Sequence, residues 1–281
     1  MTVTLLQDRF LAGKHTMNRN LLYHWHQGTS KFKDTLFKPI RNESKDALWA
    51  SAALLGIVSI ANFEAETPED AWPLRPSTPH DLNWLKLTEG KKAVFTIANP
   101  LRTDSVFHEA WPGHTNLFRP MIEEHLHSDK EVVAMTRDFS DLYDLGPGSK
   151  NVSNPYYHSA MSLAQLLHAE CNASNITGYL GVIMHIQPEL NRLLDLKDAK
   201  ALLLLALWYA KLYKGQWWVY RRGLIEGQAI CMYLDRHHAN DARLQRLLQW
   251  PKIEFGLVDP RHATTDGTRC FSDAAAVLSV M

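Results

Sequence analysis

Apolar residues recur at three- and four-residue spacing along almost the whole chain, and no stretch keeps the period-two alternation of a half-buried strand. Such spacing places apolar side chains on one face of a helix. The pattern therefore predicts an all-α protein folded as a single multi-helix domain. We expect helices over residues 17–36, 43–62, 79–98, 116–126, 129–144, 155–170, 173–186, 188–195, 198–213, 216–238 and 241–249.

The segment DALWASAALLGIVSI (46–60) is apolar enough to predict a central, mostly buried helix. Small residues on its other sides would let neighbouring helices come close. The face that we expect to be buried carries Ala47, Leu48, Ser51, Leu54, Leu55 and Val58.

Two segments interrupt the helical periodicity. Residues 67–79 hold four prolines, which predict an extended crossing between two core helices, with Trp72 and Trp84 as packing anchors. Thr78 before Pro79 is a helix-start signal. LGPGSKNVSNP (145–155) predicts a long loop.

The end of the chain loses helical periodicity from residue 258. We therefore expect a helical domain over residues 1–257 and a loosely ordered tail over 258–281.

Charge and cysteine content narrow the function classes. Lys plus Arg and Asp plus Glu each total 30, and no predicted helix carries a basic stripe, so direct binding to nucleic acid is not expected. Cys171, Cys231 and Cys270 are odd in number and far apart, which favours a reducing compartment over a disulfide framework or a zinc site.

The apolar runs are short. The longest strongly apolar one, ALLLLALWYA (201–210), falls below the ~20 residues needed to cross a bilayer, and the N-terminus has no signal-peptide pattern. We expect an intracellular protein, cytoplasmic or nuclear, with no transmembrane segment.

Common enzyme fingerprints are absent from the sequence, including a phosphate loop, GxGxxG, a nucleophile elbow and HExxH. His108 and His114 are six residues apart with Pro and Gly between them, so they cannot share a helical face as zinc ligands do. No metal and no cofactor is predicted. His24 and His26 are candidates for a general acid or base, or are hydrogen-bonded side chains with no catalytic role.

Aromatic residues are dense where two apolar helices meet at Lys214-Gly215. They form either plain core or the wall of a ligand pocket between helices. Gly223 and Gly227, four residues apart, favour a packing or access requirement, because a helical glycine costs about 1 kcal/mol. Arg221, Arg222 and Glu226 are polar anchors for a ligand or a solvated face.

Three segments carry a resemblance to a known family: 46–107, which includes EDAWPLRPSTPHDLNWLKL, 154–251, which begins NPYYHSAMSLAQLLHAE, and YHWHQGTS (23–30). Together they resemble the regulatory domain of fungal zinc-cluster transcription factors, in particular those similar to sterol uptake control proteins. The resemblance implies an all-α, ligand-sensing domain that holds an apolar lipid among its C-terminal helices. The positions that it implies for ligand binding are Leu205, Trp208, Tyr209, Trp217, Gly223, Gly227 and Cys231.

The chain departs from that family at one point. Family members carry a DNA-binding module with six closely spaced cysteines, whereas this sequence has three scattered ones. We therefore expect either a truncated regulatory domain or a stand-alone descendant whose pocket serves another purpose.

Two hypotheses of different class follow. The first is a binding module that holds a sterol or terpenoid and acts in transcriptional or metabolic regulation, through a second copy of itself or a full-length transcription factor. The second is a cofactor-independent enzyme of secondary metabolism, a cyclase, isomerase or cycloaddition catalyst acting on a terpenoid or polyketide, because proximity and shape alone can accelerate such a step. Its first catalytic candidates are His24, His26, Tyr209 and Glu226.

Overall fold

Helices form where the three- and four-residue apolar spacing is sustained. The computed structural model describes residues 1–13, 19–108, 137–146, 154–167, 169–172, 175–184, 186 and 188–259. Within these ranges every regular element is helical, so the predicted all-α, single-domain fold is confirmed.

The described α-helices are α1 (Thr2–Leu11), α2 (Arg19–Leu36), α3 (Lys45–Ala61), α4 (Asn83–Ala98), α5 (Tyr157–Ala164), α6 (Ile176–Met184), α7 (Pro188–Asp195), α8 (Ala199–Leu212), α9 (Trp217–His237) and α10 (Ala242–Glu254). A 3-10 turn, Asn42–Ser44, leads directly into α3. Residues 137–142 are also helical. The predicted helix 116–126, the first half of 129–144 and all but the first two residues of the tail lie outside the described residues.

Helix α4 begins four residues later than expected. The Asp81 carboxylate accepts hydrogen bonds from the Thr78 backbone N–H and hydroxyl, each at 2.7 Å, and pairs with Arg75. These bonds close a turn after Pro79 instead of starting a helix there, so the expected start at residue 79 is wrong. Helix α10 runs beyond the expected end at 249, through Pro251 to Glu254.

Helix α1 was not expected from the sequence. Its Phe10 ring lies 6.1 Å from the Trp217 ring and 5.6 Å from the Tyr220 ring, both on α9. None of its ten residues is fully buried. Contacts with α2, α3 and α9, more than local propensity, therefore account for this helix.

Helix α8 is the centre of the fold. Eleven of its fourteen residues are buried, which is the pattern of a helix surrounded by others. It packs against α6, α7, α9 and α10. On the other side of α9 lies α3, which also contacts α1, α2 and α4.

The proline-rich crossing before α4 is fastened to this centre. Trp72 and Trp84 are both buried, and the Trp84 ring stacks on Trp208 at 6.0 Å and 16°, which confirms that they anchor the crossing by packing. Lys197 also donates to the Pro73 carbonyl at 2.7 Å, and Arg221 donates to the Ala65 carbonyl at 2.8 Å. The crossing is thus held by side chains from the C-terminal half of the chain.

Helix α3 buries a different face from the one expected. Leu48 and Val58 are buried as predicted, but Leu54 is 48% exposed, and Trp49 and Ile60 are buried instead. Among the described residues, Asn42–Ala61 is the helix whose 20-residue length and mean hydropathy of 1.2 would suit a membrane span, with 28% of that window buried. Core helices of soluble proteins pass the same test, so this finding is weak evidence for a membrane.

The start of α8 offers a test of the packing. Asp198 Oδ1 accepts from the Ala201 N–H at 3.0 Å and from the Tyr156 hydroxyl at 2.8 Å, whereas the equivalent Asp241 of α10 accepts from the Leu244 N–H at 3.0 Å. We expect Asp241→Ala to lower the free energy of unfolding by about 1 kcal/mol, and Asp198→Ala by about 1 kcal/mol more, because the Tyr156 hydroxyl also loses its acceptor.

Urea unfolding followed by circular dichroism measures both changes. In a Tyr156→Phe background the two aspartate substitutions should cost about the same. Equal costs in the unchanged background would contradict a role for the tyrosine bond.

Candidate functional site

An apolar cavity opens beside the solid core, where α2 and α4 flank the partly buried side of α3. Its volume is about 370 Å³. Its wall is made by four helices and one residue of α9. The lining residues are Trp25, Thr29, Phe32 and Leu36 of α2, Ala52, Ala53, Leu55, Gly56, Ile57 and Ile60 of α3, Leu87, Gly90, Lys91 and Val94 of α4, Leu180 and Ile183 of α6, and Trp218 of α9.

Small residues on α3 and α4 leave this space open. A Cβ atom added at Gly56 or at Gly90 would meet no other atom within 4 Å, and both glycines line the cavity. Ala52 and Ala53 contribute little volume beside Gly56. Helix α2 supplies the outer wall through residues spaced four, three and four apart, which fall on one helical face.

Lys91 is the charged side chain of the wall. Its Nζ lies 5.3 Å from the centre of the Trp49 ring, an arrangement in which the ring face attracts the cation. Burial lowers the pKa of Lys91, because an apolar environment disfavours the charged form. Trp49 itself is 2% exposed and packs edge-on against Phe95, so the ring is a fixed platform.

The seven residues implied by the family resemblance do not line this cavity. Leu205 and Trp208 border a separate void of about 10 Å³, which is at the lower limit for one water molecule. Tyr209, Gly223, Gly227 and Cys231 are buried in the packed core, and burial raises the pKa of the Cys231 thiol. Trp217 is half-buried against Phe10 of α1. Their role in ligand binding stays a prediction.

Two of the four catalytic candidates lie together in the core. Arg222 donates from Nη1 to Glu226 Oε2 at 2.8 Å. The Tyr209 hydroxyl lies beside Glu226, but neither this hydroxyl nor Glu226 Oε1 makes a hydrogen bond of ordinary geometry with any described residue. Burial raises the pKa of Glu226, and the positive charge of Arg222 opposes this shift. Burial also raises the pKa of Tyr209, and the nearby Glu226 carboxylate adds to that shift. His24 and His26 stand apart on α2, half-buried and exposed respectively.

Arg222 has a structural task that the sequence did not reveal. Its Nε donates to the Ile60 carbonyl at 3.0 Å and its Nη2 donates to the Asn62 carbonyl at 3.1 Å, so Arg222 caps the C-terminal end of α3. The guanidinium also lies over the Phe63 and Trp84 rings, 4.7 and 5.4 Å from their centres. Arg221 binds the Ala65 carbonyl. Both arginines therefore contact backbone of this chain and do not form a solvated face.

Metal binding has no support in the described part of the chain, where no three His, Cys, Asp or Glu side chains are grouped to hold an ion. The Nδ1–H of His108 donates to the Leu101 carbonyl at 2.8 Å. His114, its possible partner in the sequence, lies outside the described residues.

Glu226 yields a pH test. A carboxyl whose folded pKa is raised contributes stability that is complete below its unfolded pKa, about 4.3, and is lost as the pH rises through the folded pKa. We therefore expect the wild type to lose stability relative to Glu226→Gln as the pH rises above about 4.3. Urea unfolding at each pH measures the difference.

Glu189→Gln is the matched control. Arg192 lowers the pKa of the exposed Glu189 carboxyl. The wild type should therefore gain a little stability relative to Glu189→Gln as the pH rises. A wild type that gains stability over Glu226→Gln as the pH rises would mean that Arg222 outweighs burial.

The helical glycines of α9 can be tested by adding one methyl group. A Cβ at Gly227 would lie 2.4 Å from Phe255 Cζ, and one at Gly223 would lie 2.8 Å from Tyr213 Cβ. We expect Gly227→Ala to destabilise the fold by about 1–3 kcal/mol, because the buried Phe255 ring has to move. Thermal unfolding measures this change.

Two variants check the cause of that loss. Gly28→Ala, in open space on α2, should be neutral or stabilising by up to about 1 kcal/mol. The cost of Gly227→Ala should shrink in a Phe255→Leu background; an unchanged cost would place the strain elsewhere.

Comparison with protein-family models, with curated proteins and with solved structures gave no match. The resemblance to the fungal regulatory domain therefore rests on the three sequence segments alone and stays a proposal. The function has to be argued from the geometry of this chain, and the cavity between α2, α3 and α4 is its starting point.

Proposed function

We propose that this protein binds an apolar small molecule of terpenoid or sterol type in the cavity between α2, α3 and α4. The observation that carries the proposal is an open volume of about 370 Å³ with a wall of aromatic and aliphatic side chains. Binding sites for small molecules are typically concave, about 300–1,000 Å³ and mostly apolar, with few polar groups.

The size of the cavity favours a ligand larger than a single ring. A dry engineered cavity of roughly 150 Å³ already takes benzene. The present cavity has more than twice that volume, and most of the side chains on its wall are apolar. A bound apolar molecule would remove these surfaces from water at about 25 cal/mol per Å², which supplies the driving force.

A ligand in this position would join two parts of the fold. Helix α2 contacts α1 and α3 and has no contact of comparable extent with any other described helix. Few contacts therefore attach α2 to the rest of the protein. An occupant that contacts both α2 and α3 would stabilise their pairing by RT ln(1 + [L]/Kd). This coupling suits a sensor whose association with a protein partner depends on occupancy.

The sequence resemblance supports the same class of function. We infer a regulatory module, in transcription or metabolism, that acts through a second copy of the chain or a full-length transcription factor. The proposed ligand position differs from the one that the resemblance implies. Of the implied residues, Leu205 and Trp208 of α8 border a void of only about 10 Å³, and Gly223, Gly227 and Cys231 of α9 are buried in the core.

The enzymatic alternative has less support. The polar side chains of the wall, apart from the two indole groups, are those of Thr29 and Lys91, and the Thr29 hydroxyl donates to the Trp25 carbonyl of its own helix at 2.9 Å. Tyr209 and Glu226 lie outside the wall. No acid–base pair among the described residues faces the cavity, so the binding module is the better proposal.

Filling the cavity tests the proposal. Gly56→Leu would place a side chain in the open space next to Ala52, and Gly28→Leu makes the same change on α2 away from the wall. We expect Gly56→Leu to fold and to weaken binding of methyl cis-parinarate, a neutral fluorescent chain, by at least about tenfold, or about 1.4 kcal/mol. Gly28→Leu should bind as the wild type does.

Fluorescence titration measures both affinities, and native mass spectrometry of the purified wild type identifies any co-purified lipid. Equal affinity in Gly56→Leu and Gly28→Leu would show that the probe binds elsewhere and would contradict the proposed site.

A further inference from the structure

We propose that the ligand of this cavity is an amphipathic carboxylate, whose single anionic head group binds the ammonium of Lys91 beside the Trp49 ring and whose apolar body fills the remaining space. The inference rests on the proposed function, because it names the ligand class of the same site.

Lys91 is placed for this contact by the register of α4. Leu87, Gly90, Lys91 and Val94 recur at three- and four-residue spacing, so they share the helical face that forms the cavity wall. The glycine immediately before the lysine leaves open space beside it. Its ammonium is held against Trp49 at 5.3 Å, and the rest of the wall around it is apolar.

Among the described residues, Lys91 has no oxygen partner of the kind that three other lysines have. Lys92, Lys197 and Lys200 donate to the backbone carbonyls of Ile186, Pro73 and Leu142, at 2.8, 2.7 and 2.9 Å. Within the described part of the chain, Lys91 makes no hydrogen bond or ion pair, and its polar neighbour is the face of an indole ring.

A cation in this position is costly unless an anion joins it. Removing an ammonium from water is unfavourable, and a hydrogen-bonded counter-ion offsets the loss. Burial already lowers the pKa of Lys91, and no carboxylate of the described residues counteracts this effect. An anionic head group would supply the missing acceptor, whereas a hydroxyl head group would leave the charge unbalanced.

The charge of the site selects among anions. One lysine contributes one positive charge and three donors, which suits one carboxylate. A diphosphate carries a higher charge and is usually held by several cations or a metal ion. Lys92, the next residue, donates to the Ile186 carbonyl, which lies beyond the end of α6, and is not part of the wall. A carboxylate is therefore favoured over a prenyl diphosphate.

The experiment compares two probes that share one apolar chain and differ in the head group, a carboxylate or its neutral methyl ester. cis-Parinaric acid and its methyl ester share one apolar chain, and both become fluorescent when bound. At pH 7.4 we expect the full-length wild type to bind the acid at least about tenfold more tightly than the ester, because hydrogen bonds to a charged group are the stronger ones.

Three variants assign that difference to Lys91. Lys91→Met, which removes the charge and keeps the length of the side chain, should lower the affinity for the acid to that for the ester and leave the ester within about threefold of the wild type. Lys91→Arg should keep the preference for the acid. Lys86→Met, on the same helix but outside the wall, removes a half-exposed lysine that pairs with Asp195 at 3.8 Å, and should change neither affinity.

The outcomes separate this inference from the proposed function. Equal affinity of the wild type for acid and ester, or a preference that survives in Lys91→Met, overturns the carboxylate assignment and leaves the cavity as an apolar binding site. Failure of both probes to bind the wild type overturns both proposals. Thermal unfolding shows that Lys91→Met is folded, since loss of an unpaired, partly desolvated charge should not lower its melting temperature.

Discussion

The contact between Arg222 and the C-terminal end of α3 determines where the rest of the fold can go. One guanidinium binds two carbonyls at that end, Ile60 and Asn62, forms an ion pair with Glu226 on its own helix, and lies over two aromatic rings. The two bonds to the carbonyls join α9 to the end of α3, and the ion pair with Glu226 holds the guanidinium in place for them. Because a buried cation left without these partners would be strongly unfavourable, the arrangement is specific as well as stable.

The cavity follows from this fixed position of α3. One side of the helix faces α9 and the packed centre around α8, and the other side is left for α2 and α4 to cover. Open space remains between these helices, beside Gly56 and Gly90, and the first wall residue of α2 is the bulky Trp25. Helix α3 is therefore only partly buried on the side of this space, and its length and mean hydropathy would also suit a membrane span.

The sequence predicted the helices better than it predicted the site. Strong apolar periodicity placed α2, α7, α8 and α9 within two residues of their observed ends, whereas α1 depends on tertiary contacts of Phe10 that no local pattern contains. The many aromatic residues near residue 215 were compatible with either a ligand pocket or a plain core. In the structure, Gly223 and Gly227 make room for the Tyr213 and Phe255 side chains. Gly56 and Gly90 gave no such signal, because the empty space beside them exists only once three helices are assembled. Lys91 could not be singled out for the same reason: a lysine on an apolar helix face is ordinary until its neighbours are known.

The separation of the cavity from the packed centre has a consequence for how such a protein can change over generations. The proposed ligand would contact mainly α2 and the open sides of α3 and α4, while most of the buried core is formed by α8, α9 and the arginine contacts behind them. Substitutions at Gly56, Gly90 or Lys91 can therefore alter the accepted shape or charge without disturbing the scaffold. The architecture separates what is recognised from what holds the molecule together, and this leaves recognition free to diverge.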